Sequence, residues 1–207
     1  MNSSINKLLK KSEYLNNNAL VKNLRSYPTL WFFTDNSRNP DPYTILNQLP
    51  KNSGIVFRDY FIQKRNYKAA KMAEFCRKKQ LVLIIGGDAK LALQVGAAGV
   101  HIPEFNKQIL PYLKSKNSNW IISTSVHDRR SYRKVQTLGA NIIFLSPVFN
   151  TSSHPDKRPL GKLYISRLVR EFGVFSIALG GINSKTACSL TGTGVNGIAA
   201  ISGFVIN

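Results

Sequence analysis

The sequence predicts a compact (β/α)8 barrel, and three observations carry that expectation. Short apolar runs alternate with helix-spaced segments at 20- to 30-residue intervals, and parallel strands need such crossovers. Eight such runs fit into 207 residues, the count that closes a barrel. The last two runs end in glycine and small polar residues, Gly180-Gly181 and Ser202-Gly203, where a barrel of this kind offers backbone N–H groups to an anion. An open doubly wound sheet is the alternative, weakened because no G-x-G-x-x-G follows the first strand.

In chain order, residues 1–26 are basic and rich in Asn and Ser, and the spacing of Ile5, Leu8, Leu9, Tyr14 and Leu15 marks an amphipathic helix. The composition is also that of a transit peptide. The spacing favours an extra helix beneath the barrel, or else a basic arm. The barrel domain is read as 27–207. Its strands are expected at Thr29–Thr34, Gly54–Arg58, Leu81–Ile85, Gly99–Ile102, Trp120–Ser125 and Asn141–Leu145, then from Val174 and from Gly197. Leu81–Ile85 is wholly apolar, as a strand buried on both faces should be. Helices are expected over Tyr43–Leu49, Asn66–Lys79, Ala89–Val95, Lys107–Lys116, Arg129–Leu138 and Lys162–Phe172, with another joining the last two strands and the final one truncated. The long segment Ser146–Gly161 reads as a functional lid.

No apolar run approaches the roughly 20 residues of a membrane span. Cys76 and Cys188 read as reduced thiols of a cytoplasmic protein. The formal charge of +19 raises nucleic acid as a partner, but the cations are spread along the chain and form no aromatic-interleaved stripe. That distribution disfavours nucleic acid and favours a phosphorylated small molecule.

Half of the ten acids fall at expected strand ends: Asp35, Asp59, Asp88, Glu104 and Asp128. For Asp88 and Asp128, capping of the next helix explains the placement equally well. His127 follows a buried strand and opens a helix, which suits a proton-transfer group, whereas His101 lies within a strand and reads as core. No i, i+4 histidine pair marks a metal site, and a magnesium ion on Asp88 and Glu104 is the one oxygen-ligand option.

The strings Ala92–His101, Ser125-Val126-His127, Ser146-Pro147-Val148-Phe149, Pro159-Leu160-Gly161, Leu179-Gly180-Gly181-Ile182 and Gly197–Gly203 occur in this order. Together they resemble the thiamine-phosphate synthases and their sister thiazole tautomerases, TIM barrels, over about Thr29–Gly203. The resemblance implies that Gly180, Gly181, Ser202 and Gly203 hold a thiazole phosphate. It further implies that Arg58, Thr151, Ser153 and His154 meet an anionic second substrate, that Ser125 positions the ring, and that His127 is an acid–base. The synthase reaction implies magnesium, yet the family's metal-binding aspartate falls on Gly87, its second-strand lysine on Tyr60, and its loop lysine on His154. The implied function is synthase-like. A tautomerase using His127, and a non-catalytic ligand or nucleic-acid binder on the same barrel, are the alternatives.

Overall fold

The computed structural model describes residues 3–22, 24–151 and 158–204. Eight parallel strands close into a barrel in sequence order: β1 Leu30–Phe33, β2 Gly54–Phe57, β3 Val82–Gly86, β4 Gly99–Ile102, β5 Ile121–Val126, β6 Ile142–Leu145, β7 Ser176–Ala178 and β8 Gly197–Ala200. The closing pair is β1 with β8, in register Trp31 to Ala199. Period-two alternation splits each strand between two cores. Trp31, Phe33, Val56, Ile84, Phe144, Ile177 and Ala199 fill the barrel interior. Their neighbours Phe32, Ile55, Phe57, Ile85, Ile143 and Ile198 face the helices.

The helices are α1 Ser3–Asn17, α2 Tyr43–Leu46, α3 Arg65–Lys79, α4 Ala89–Gln94, α5 Leu110–Lys116, α6 Arg129–Leu138 and α7 Gly161–Phe172. In α3, Ala69, Met72, Ala73 and Cys76 repeat at helical spacing and are buried, while Arg77, Lys78 and Lys79 sit in the last turn, where the helix dipole favours cations. Asp88 and Asp128 both cap: Asp88 accepts from the Leu91 amide at 2.9 Å and Asp128 from the Ser131 amide at 2.7 Å.

Three expectations need correction. The helix at Lys107–Lys116 is split into a 3-10 segment Glu104–Ile109 and α5, because Pro111 is tolerated only in the first turn of a helix. Between β7 and β8 only a five-residue 3-10 turn forms, Thr186–Leu190. There Ser189 donates to the Thr186 carbonyl and Thr193 to the Leu190 carbonyl, so local hydroxyls compete with the helical ladder. Finally, α1 does not lie beneath the barrel. It packs along the outside of β8 and β1, burying Ile5, Leu8 and Leu15 in the outer core. Among the described residues no helix follows β8, and α1 covers that seam.

Candidate functional site

The largest cavity, about 690 Å³, opens at the carboxyl ends of β7, β8, β6 and β1. Gly180, Gly181, Ser202 and Gly203 all line it, together with Arg38, Arg58 and Lys185, and among the described residues no carboxylate does. The strands beneath are parallel, Ala178 beside Ile198, so the glycine pairs face the same opening. Among the described residues, the amides of these four residues donate no hydrogen bond within the protein. Gly181 is required: its φ is +67°, and a Cβ there would lie 2.5 Å from the Asn150 carbonyl oxygen and 2.7 Å from the Phe149 Cβ. The feet of the β6–α7 segment are fastened over this corner. Val148 donates to the Leu179 carbonyl at 2.9 Å, Phe149 to Gly180 at 3.1 Å, and Leu160 to Pro147 at 2.7 Å. Thr151 lines the cavity, whereas Ser153 and His154 lie outside the described residues. The helix whose first turn reaches this corner is α1, through Ser4.

Arg58 stands between this cavity and a neighbouring one of about 400 Å³ lined by Asp35, Asp59, Tyr60 and Phe61. Its Nη2 donates to Asp35 Oδ2 at 2.7 Å. Burial works against ionised Asp35, but Ser37 donation and the Arg58 and Arg38 guanidinium groups prevail and hold its carboxyl below the usual range. Asn39 Nδ2 donates to the Ile201 carbonyl at 3.1 Å, tying the segment after β1, and with it Arg38, to the end of β8.

Across the mouth the acids are engaged by the protein itself. Asp88 Oδ1 caps α4, and Oδ2 meets Arg65 Nη1 at 3.1 Å. Glu104 Oε1 accepts from Ser131 Oγ and lies 3.4 Å from Lys107 Nζ, while Oε2 lies 3.3 Å from His127 Nε2. His127 Nδ1 donates to the Ser146 carbonyl. The ring therefore props Ser146, which lines the large cavity, while His127 itself does not. At Gly87, with φ +70°, a Cβ would sit 3.1 Å from Tyr60 Cε1, so a side chain there would strain the left-handed backbone and need the ring to shift by a few tenths of an ångström. Among the described residues no three Asp, Glu, His or Cys side chains converge as metal ligands. Asp88 and Glu104 thus do not fit a shared magnesium ion, because their oxygens already serve a guanidinium, an ammonium, an imidazole and two donors from helices.

Ser125 faces the interior below the mouth, its Oγ 3.4 Å from His101 Nε2, and it does not line the cavity. His101 is core, as its place within a strand predicts: 3% exposed, packed between Phe33 and Phe144, with Nδ1 3.0 Å from Ser123 Oγ. Burial, aided by the charge of Arg58, lowers its pKa to about 3. Sequence reasoning missed Arg38, Lys185 and Arg65. Each lies five to eight residues past a strand end, so scanning further into the segments after the strands would have found them.

Fold and site thus define a closed β/α barrel whose mouth cavity is lined, among the described residues, by three cations and by four residues whose amides donate to no protein acceptor. The thiamine monophosphate synthase (TMP-TENI) family model matches residues 47–204, and the chain belongs to this family. It is 34% identical over 185 residues, 86% of this chain and 98% of the other, to a protein of Aquifex aeolicus provisionally named thiamine-phosphate synthase 2. It is 30% identical to the thiamine-phosphate synthase of Listeria monocytogenes serovar 1/2a over 67% of this chain and 66% of that one. The solved thiamine phosphate pyrophosphorylase from Pyrococcus furiosus superposes with a TM-score of 0.75 at 26% identity, covering 87% of this chain and 88% of that one. No helix among the described residues is long and apolar enough to cross a membrane.

Proposed function

We propose that this chain is a synthase-type transferase of thiamine biosynthesis that receives a thiazole phosphate in the 690 Å³ cavity and a pyrimidine diphosphate in the adjoining one. The observation that carries the reading is the lining of the larger cavity: among the described residues it holds four unengaged amides and three cations and no carboxylate. In a poorly hydrated mouth such donors favour a phosphate ester over its neutral alcohol. In the condensation, the thiazole nitrogen forms a bond to the pyrimidine methylene carbon as the carbon–oxygen bond to diphosphate breaks. The electron pair leaves on diphosphate. Arg58, which borders both cavities, lies where it would take up that developing charge. Ser146, held from behind by His127, and Asn150 wall the ring side of the larger cavity.

The tautomerase reading needs His127 at the substrate, and the engagement of both its ring nitrogens gives that reading no support. The test is incubation of the purified chain with both substrates, followed chromatographically for thiamine phosphate, alongside melting curves with thiazole phosphate, thiazole alcohol and an oligonucleotide. Product formation and stabilisation by the phosphate alone are expected. No product with both substrates bound would leave a ligand-binding barrel, and stabilisation by the oligonucleotide alone would overturn the reading.

A further inference from the structure

We propose that the chain carries a second small-molecule site, at the amino-terminal end of the barrel, built for a zwitterion of amino-acid size. A cavity of about 330 Å³ lies there, between α1 and the chain entering β1 and β2. Its polar lining includes Glu13 and Asn16 from α1, and Lys51 and Ser53 from the segment before β2. Ser53 is 2% exposed and its backbone is fully used: the N–H donates to the Pro50 carbonyl at 3.2 Å, and the carbonyl accepts from the Val82 amide at 2.9 Å. Among the described residues its Oγ has no partner, and neither does the buried Asn16 Oδ1. Buried polar atoms left in this way call for an explanation, because an unmade hydrogen bond costs more than a made one returns.

Glu13 adds an independent observation. The chain holds 29 Lys and Arg against ten Asp and Glu. Among the described residues every other acid accepts a hydrogen bond from the protein. The Glu13 carboxylate accepts none, and the Lys51 ammonium on the same wall donates neither to it nor to any other described group. Opposite charges that share a cavity without meeting suit a ligand that carries both. Carboxylate, amide oxygen and hydroxyl match the three hydrogens of an ammonium, since a single torsion turns Ser53 Oγ toward the cavity it borders. The Lys51 ammonium suits the ligand's carboxylate. Tyr27 and Leu30 offer its stem an apolar wall, and the volume falls at the small end of ligand sites. Because α1 forms part of the wall, an occupant fastens that helix to the barrel.

The experiment records melting curves of the full chain with each standard amino acid in turn. The one that raises the midpoint most is then titrated calorimetrically beside its decarboxylated amine and its deaminated acid. Stoichiometric binding of the amino acid is expected, with each analogue about tenfold weaker for the loss of one charge-assisted contact. Glu13→Gln and Lys51→Met should weaken the amino acid by the same factor. Ser53→Ala should weaken it too, while its ligand-free midpoint holds or rises because a partnerless hydroxyl is gone. Inorganic phosphate, directed to the β7–β8 corner, should not displace the amino acid. Binding by no amino acid, which would leave the two orphaned atoms to water, overturns the proposal. So does an analogue that binds as tightly as the amino acid, binding unchanged in both Glu13→Gln and Lys51→Met, or displacement by phosphate.

Discussion

The two halves of the barrel mouth handle charge in opposite ways. At the β7–β8 side, backbone amides are left open beside cations, and among the described residues no acid lines the cavity, although Asp35 pairs with Arg58 and Arg38 at its edge. At the β3–β5 side, each acid is matched by a partner from the protein: Asp88 by Arg65, and Glu104 by Lys107 and His127. An open set of donors selects a ligand, whereas a closed set of pairs fixes loops in place. An acid at a strand end is thus no mark of a site until its partners are known.

That contrast can be broken most severely by removing what props the open side. A chain lacking residues 1–17 loses the burial of Ile5, Leu8 and Leu15 against β8 and β1. At about 1.5–3 kcal/mol per side chain, the loss of about 5–9 kcal/mol matches the whole stability of a typical domain. Circular dichroism should show no cooperative melting, and a transition near that of the full chain would mean that α1 is dispensable.

The next largest effect sits between the two halves, at His101. Its pKa falls from 6.5 in the unfolded chain to about 3 in the barrel. The unfolded state therefore binds a proton that the folded state refuses. Stability is full above pH 6.5 and declines by about 1.4 kcal/mol per unit as pH falls toward 3. Asp35 enters only lower down, since its carboxyl starts from 3.8 and is lowered further. Urea midpoints measured in steps below pH 6.5 should fall for the natural chain and run flatter for His101→Gln, although that variant is less stable at neutral pH. Parallel slopes would mean that the imidazole is protonated in place.

Two glycines of similar φ sharpen the comparison further. At Gly181, with φ +67°, an added methyl group would meet backbone at 2.5 Å, whereas at Gly161, with φ +72°, it would meet nothing within 4 Å among the described residues. Gly161→Ala should cost only the left-handed backbone term, about 1–2 kcal/mol. Gly181→Ala should cost more, by about 1–3 kcal/mol of overpacking, and should abolish stabilisation by inorganic phosphate. Equal losses in melting temperature for the two variants would remove the close-approach argument. The smallest effect is chemical. Burial pushes the Cys76 thiol up to about 12, while Cys188 is exposed. A thiol reagent should label one cysteine in the native chain and the second only on unfolding.

The barrel was legible because each strand is a short apolar run closed by a polar or glycine stop, a signal fixed locally. The meeting of Gly180, Gly181, Ser202 and Gly203 around one opening was legible for the same reason, since their placement depends on where the strand ends and not on a distant partner. His127 shows the limit. Its surroundings are set by Glu104 from the segment after β4 and by the Ser146 carbonyl at the end of β6, both brought to it by strand register. For Arg65 only its place a few residues past β2 is readable in the sequence, because its three oxygen partners span residues 59–88 and converge only when β2 and β3 pair. The 3-10 turn at Thr186–Leu190 escaped because a run of hydroxyl residues satisfies either a helix or a series of local turns.

The seam sealed by α1 has a consequence for how the molecule is assembled. The helix precedes every strand in the chain, yet it packs more on β8, at the far end of the chain, than on β1. Contacts so distant along the chain form slowly. Docking of this helix is thus expected late in folding, and it is what brings Ser4 to the wall of the mouth cavity.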